Sequence, residues 1–149
     1  MLSKFKIIAV FILIAGVFGI AIGTRVFFSQ KRYRIENLPY NSVTSIKIFD
    51  RGLVGENTVT FTRRDSLGML KNLILMSTPV EASKINFHGN KGLCDIVLHC
   101  TDGQTLLLSF YAAPFEGSNT LSGFLASGEF HYQNDALLAY LQQKLSGKD

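Results

Sequence analysis

Three histidines are the first candidates for chemistry in this chain, because imidazole binds zinc and transfers protons near neutral pH. They are His88, His99 and His131, and the alternation around each one places it on the polar face of a predicted strand. A zinc site would need a further ligand such as Asp95 or Glu129. Asp95 and His99 would lie roughly 13 Å apart along one strand, so they cannot bind one ion without ligands from elsewhere. We therefore expect solvent-facing histidines, no metal and no cofactor.

The two cysteines, Cys94 and Cys100, share the apolar face of one predicted strand. Six residues of strand separate them by roughly 20 Å, whereas the Cα atoms of a disulfide lie within about 7 Å of each other. The spacing excludes a disulfide between them within one continuous strand. We expect two small buried hydrophobic residues, which are poor thiolates.

Other common arrangements of reactive side chains are missing from the sequence. There is no Gly-x-Ser-x-Gly nucleophile elbow, and the acidic residues are scattered singly. The glycine-rich turn at 89–92 leads into a predicted strand, not into the helix that a phosphate-binding loop requires. The sequence therefore predicts a protein that is not an enzyme. The alternative is a small secreted or periplasmic enzyme or metal-binding domain that uses His88, His99 and His131.

The charge of the chain is divided unevenly along its 149 residues. The formal net charge is +4, but six of the basic residues lie in the first 34 positions, where there is no acidic residue. Residues 35–149 contain nine basic and eleven acidic residues, a net charge of −2. Because the part that can fold is slightly acidic, we expect no nucleic-acid partner.

A run of seventeen uncharged residues extends from Ile7 to Gly23 after a short basic leader. Together with flanking apolar residues it approaches the roughly 20 residues that a helix needs to cross a bilayer. The run is longer than the usual core of a signal peptide, so we predict a retained anchor at residues 1–28 and a juxtamembrane linker at 29–41. Cleavage after Gly23 is the alternative, since small residues precede that site.

Two sequence patterns give opposite predictions for the side of the membrane on which the folded domain lies. A literal count of Lys and Arg on each side of the apolar run places the rest of the chain in the cytoplasm. A short basic leader before an N-terminal apolar run is instead typical of an export signal, so we expect an extracytoplasmic domain, periplasmic or on the cell surface. Ala15, Gly19 and Gly23 share one helix face, which favours a homodimer through the membrane helix; small residues are also common in membrane helices that do not dimerise.

Residues 42–149 show the alternation of strands with two amphipathic helices. We predict strands at 43–49, 58–62, 84–88, 93–100, 104–111 and 121–132, and helices at 63–76 and from 135 onward. The order is β-β-α-β-β-β-β-α. Short turns between strands imply a mainly antiparallel sheet, and both helices must cover its apolar face. The expected fold is therefore α+β, a transmembrane helix followed by a two-layer domain.

The hairpin between Leu93 and Tyr111 has a register that can be derived. The apolar residues of its two strands share a face only if residue i pairs with residue 204 − i. This register leaves a three-residue loop that ends at Gly103, where a type I turn with a G1 bulge requires left-handed backbone.

A binding role is what remains, and the connection after Tyr111 is its first candidate surface. Phe115 and Glu116 lie there beside turn residues, and an exposed ring is a common anchor for partners. The competing interpretation, that Phe115 folds back onto the core, is slightly favoured for this ring, and the sheet edge is a second candidate surface. We therefore predict a single-pass membrane protein whose domain binds a protein or peptide through Tyr111, Phe115 and Glu116, as an inhibitor, immunity factor or assembly subunit would.

Overall fold

The structure is a computed structural model that describes residues 34–89 and 92–147. Its strands are β1 (Val43–Asp50), β2 (Thr58–Phe61), β3 (Thr78–Val80), β4 (Gly92–Cys100), β5 (Thr105–Pro114), β6 (Leu121–Ser127) and β7 (Phe130–Gln133). The helices are α1 (Arg64–Leu75) and α2 (Asp135–Leu145). The strands form one sheet in the order β2-β1-β4-β5-β6-β7-β3, and every neighbouring pair is antiparallel. The predicted α+β class with a mainly antiparallel sheet is confirmed.

The predicted anchor at 1–28 lies outside the described residues, as do Ala15, Gly19 and Gly23. Within residues 34–89 and 92–147, no helix combines the length and the hydropathy needed to cross a bilayer. Ile35 and Leu38 belong to the segment predicted as a linker, yet both are buried in the core of the folded part.

The β4–β5 hairpin has the predicted register. Cys94 lies opposite Phe110 and Ile96 lies opposite Leu108, so each pair sums to 204. Gly103 closes the loop with a φ of 79°, in the left-handed region that glycine adopts without a steric penalty. Alternating hydrophobicity and turn chemistry were therefore sufficient to determine the pairing.

Both helices pack on the same face of the sheet. α1 contributes Leu70 and Ile74 to the core, and α2 contributes a stripe of leucines that ends at Leu145. Burial of these side chains holds the two layers together, at about 1.5–3 kcal/mol for each large apolar residue. The side chains from the sheet that complete this core include Ile46, Ile48, Cys94, Ile96, Leu98, Leu108, Phe110 and Leu125.

The other face of the sheet is partly covered by residues 81–89, where the predicted strand at Lys84–His88 is wrong. This segment forms two short 3₁₀ turns, Ala82–Lys84 and Phe87–Gly89, with a single bridge between Ile85 and Phe115. The strand lies earlier, at β3, which pairs with β7 and contains Pro79. An edge strand tolerates proline because its outer N–H groups need no partner strand.

Two further boundaries differ from the prediction. Gly128 has a φ of 60° and turns the chain between β6 and β7, so the single strand expected at 121–132 is two strands. Five strands therefore follow α1, where four were expected. β5 also continues to Pro114, which shortens the irregular connection after Tyr111 to residues 115–120.

Candidate functional site

Tyr111 is buried on the second face of the sheet, which is the face opposite the two helices. Only 5% of the residue is exposed to solvent, and its ring stacks on that of Phe124 with the ring centres 5.7 Å apart. Tyr111 Oη is hydrogen-bonded to His131 Nδ1 at 2.8 Å. Burial raises the pKa of Tyr111 to about 12, so the phenol stays protonated near neutral pH. Tyr111 therefore packs inside the domain and does not present its ring to a partner.

Phe115 and Glu116 differ in their exposure. Phe115 is partly buried, with its ring 6.0 Å from that of Phe124, so the ring folds back onto the domain. Glu116 is exposed, and its backbone N–H donates to the carbonyl of Lys84 at 2.8 Å. Of the three residues predicted to bind a partner, only Glu116 presents its side chain fully to solvent. A contact through these residues remains a prediction.

Phe87 is an exposed ring of this region, whereas the alternation at 84–88 predicts it on the strand face opposite His88. It is 46% exposed, and its ring lies 5.5 Å from Tyr111 and 5.7 Å from His131. The signal that could have found it is the turn-forming composition after it, at Gly89 and beyond, which disfavours a strand.

The three histidines are not brought together. His88 is exposed in a 3₁₀ turn, His99 lies on β4 and His131 lies on β7. Two strands separate β4 from β7, a distance of about 14 Å at the usual spacing. Among the residues that the structure describes, no group of three His, Cys, Asp or Glu side chains is placed to hold a metal ion.

The cysteines are free and buried, as predicted. Burial, reinforced by the carboxylates of Asp50 and Asp95, raises the pKa of the Cys94 thiol to about 12. A thiol with this pKa is almost entirely protonated near neutral pH, so it does not act as a nucleophile.

An apolar strip runs along the outer side of α1. We define the α1 strip as Met69, Leu73 and Met76, which recur at i, i+4 and i+7 and therefore share one helix face. Met69 is 52% exposed and Met76 is 70% exposed, whereas Leu73 is partly buried against the core. The strip lines a shallow groove of about 650 Å³.

No protein-family model matches the chain, and neither the curated proteins nor the solved structures compared with it give a match.

A second groove, of about 350 Å³, lies where β3 meets β7. Its lining includes His131, Arg34 and three carboxylates, from Glu36, Glu81 and Glu129. Burial lowers the pKa of His131 below its ordinary value of 6.5. The neutral imidazole is therefore the form that the folded protein prefers, which gives the stability of the fold a dependence on pH.

We expect the folding stability to decrease through His131 as the pH falls below about 6.5. The unfolded chain takes up this proton first, so the contribution is complete above pH 6.5 and is lost as the pH falls through the lower pKa of the folded state. Urea denaturation across this range should show a shallower pH dependence for His131→Gln than for the wild type. Parallel pH profiles for the two proteins would contradict the assignment.

Proposed function

We propose that this chain is a single-pass membrane protein whose extracytoplasmic α+β domain binds a protein or peptide partner through the α1 strip. The apolar run at 7–23 supports the membrane anchor, because its length approaches that of a bilayer-spanning helix. The basic leader before it supports export of the domain. The role suits an inhibitor, an immunity factor or an assembly subunit, each of which acts by contact.

The exposed methionines of α1 are the observation that carries the proposal. A surface helix normally turns its apolar residues to the core and charged residues to solvent, whereas α1 keeps Met69 and Met76 in solvent. Methionine is unbranched and adapts its shape, so it is common on surfaces that bind other proteins. The i, i+4, i+7 spacing matches the way an apolar face of a helix or peptide packs along a groove.

If the domain is attached to a membrane, binding is strongest for a partner that is attached to the same membrane. A tether converts a weak encounter into a local one, with an effective concentration set by the length of the linker. Residues 24–33 reach at most about 35 Å when fully extended. A modest apolar contact is therefore sufficient for a partner that is held at the same surface.

Site-specific crosslinking tests the α1 strip directly. A photoreactive amino acid is placed at Met69 or at Met76 of the full chain in intact cells, and at the exposed Ser118 as a matched control. We expect a protein adduct of the same mass from both methionine positions and none from Ser118. Met69→Glu should remove the adduct formed at Met76, because a charge in the strip opposes apolar contact.

Two results would overturn this proposal. One is an equal set of adducts at Ser118, which would mean that the methionine positions have no special contact. The other is crosslinking of Met69 and Met76 to lipid alone, which would assign the strip to the bilayer surface.

The anchor and the side of the membrane have a separate test. Spheroplasts that express the full chain are treated with protease, and the mass of the mature chain is measured without protease. We expect degradation of the domain from outside and a mature chain that retains residues 1–23. A chain that begins at Thr24, or a domain that is protected until the cells are lysed, would contradict the anchor or its orientation respectively.

A further inference from the structure

A cleft of about 400 Å³ lies between the N-terminal half of α1 and the beginning of β1. Its apolar lining comes from Val43, Ile46 and Leu67. Its polar lining includes Arg64 and Lys71, so positive charge and hydrocarbon surface occur in the same cleft. Its volume lies within the range of about 300–1,000 Å³ that is typical of small-molecule sites.

Lys71 is held in place at this cleft. Its Nζ lies 3.3 Å from Oδ1 of Asn41 and 5.5 Å from the centre of the Tyr40 ring. Both neighbours are uncharged, so neither supplies a carboxylate that would compete with an anion for the ammonium group. Arg64 adds a second cation, and none of the described residues that line the cleft is acidic.

Gly68 lines the cleft without a side chain. It lies in the interior of α1, where glycine costs about 1 kcal/mol relative to alanine. A Cβ atom at this position would meet no other atom within 4 Å, so the backbone packs against nothing that would require a glycine. Because Gly68 lines the cleft, the absence of a side chain there leaves space in the cleft.

We propose that this cleft binds an anionic amphiphile. The acidic headgroup lies between Arg64 and Lys71, and the hydrocarbon chain packs against the partly buried Val43 and Leu67, which lie over the buried Ile46. Tyr40 and Asn41, on the rim, lie in the segment predicted as the juxtamembrane linker, and the chain from Gly23 to Tyr40 can span at most about 60 Å. Membrane lipids and free fatty acids share this chemistry, and the experiment below separates the two sources.

The chain contains no tryptophan, so one introduced residue is a specific fluorescent reporter. Thr62 is exposed and lines the cleft, which makes Thr62→Trp the suitable position. The full chain is reconstituted in phosphatidylcholine nanodiscs and titrated with dibromostearate, whose bromine atoms quench tryptophan on contact. We expect saturable quenching by dibromostearate and little by the uncharged dibromostearyl alcohol, because only the acid has a partner for Lys71.

A second arm identifies the source. Brominated phosphatidylglycerol is incorporated in the nanodisc and compared with brominated phosphatidylcholine. Selective quenching by the anionic lipid supports a bilayer source, and quenching by dibromostearate alone supports a free fatty acid. Equal quenching by the acid and the alcohol would overturn the proposal, since it would reflect apolar partitioning only. Equal quenching by both lipids would exclude the bilayer as the source.

Two variants in the Thr62→Trp background test the cleft itself. Lys71→Gln should weaken dibromostearate binding about tenfold through loss of one charge-assisted contact. Gly68→Leu should abolish it by filling the cleft, whereas Gly68→Ala, which is checked alongside for intact helical structure, should retain it. Quenching that persists unchanged in a folded Gly68→Leu protein would overturn the assignment, whatever the crosslinks at Met69 and Met76 show.

Discussion

Asn134→Ala is expected to lower the free energy of unfolding by about 3 kcal/mol. The Asn134 side chain joins α2 to the end of α1 and to the following Ser77 from a buried position. Its Oδ1 accepts from the N–H of Leu137 at 2.7 Å and so caps α2. Its Nδ2 donates to the carbonyl of Leu73 at 2.6 Å and to Ser77 Oγ at 2.8 Å, which fixes the end of α1. Alanine removes the cap and both of the hydrogen bonds that Nδ2 donates.

Ser77→Ala is the matched control for this prediction. It removes one of the same hydrogen bonds but leaves the cap and the bond to Leu73, so we expect a loss of only about 1 kcal/mol. Urea denaturation of the full chain in nanodiscs, followed by circular dichroism, measures both variants. An Asn134→Ala protein that is no less stable than Ser77→Ala would contradict the role of the Asn134 side chain.

Gly123→Ala is expected to lower the free energy of unfolding by about 3 kcal/mol or more. A Cβ atom at Gly123 would lie 2.5 Å from the carbonyl oxygen of Asn134, 2.6 Å from Cζ of Phe110 and 2.8 Å from Cβ of Leu138. Backbone approaches this closely because the N–H of Asn134 donates to the carbonyl of Gly123 at 2.7 Å. The nearest atom belongs to the backbone, so no side-chain rotation relieves the clash.

Gly68→Ala is the control, because its added Cβ meets nothing within 4 Å. It should raise the free energy of unfolding by about 1 kcal/mol through higher helix propensity. The same denaturation experiment compares the two glycine variants. If both were destabilised equally, or if Gly123→Ala were neutral, the close contact between β6 and the start of α2 would be contradicted.

Features that depend on neighbouring residues were predictable. The register of the β4–β5 hairpin follows from period-two alternation and from the turn at Gly103, all within about twenty residues. The helix predicted at 63–76 corresponds to α1 at Arg64–Leu75 for the same reason, since its apolar stripe is local. Burial of both cysteines follows from the same alternation along β4.

Features that depend on competition between distant segments were not predictable. The alternation at Lys84–His88 fits a strand, but Ile85 and Phe87 reach the second sheet face from turns instead. The place at the sheet edge beside β7 goes to Thr78–Val80, about fifty residues earlier in the chain. A single sequence pattern does not show which of two nearby segments pairs with a distant strand.

The candidate sites show the same division. Local patterns identified Tyr111 and Phe115 as notable rings, but their burial depends on packing against Phe124 and on cover from Phe87. The α1–β1 cleft was not predicted, because it brings together residues about thirty positions apart that carry no shared motif.

The sequence alone determined the apolar N-terminal run, the α+β class and the register of the central hairpin, because periodicity and turn residues act over a few positions. Only the tertiary structure decided the edge strand β3, the Tyr111–His131 pair and the surfaces that α1 leaves open. Those features arise when separate elements pack, and packing depends on the shape and burial of all of them at once.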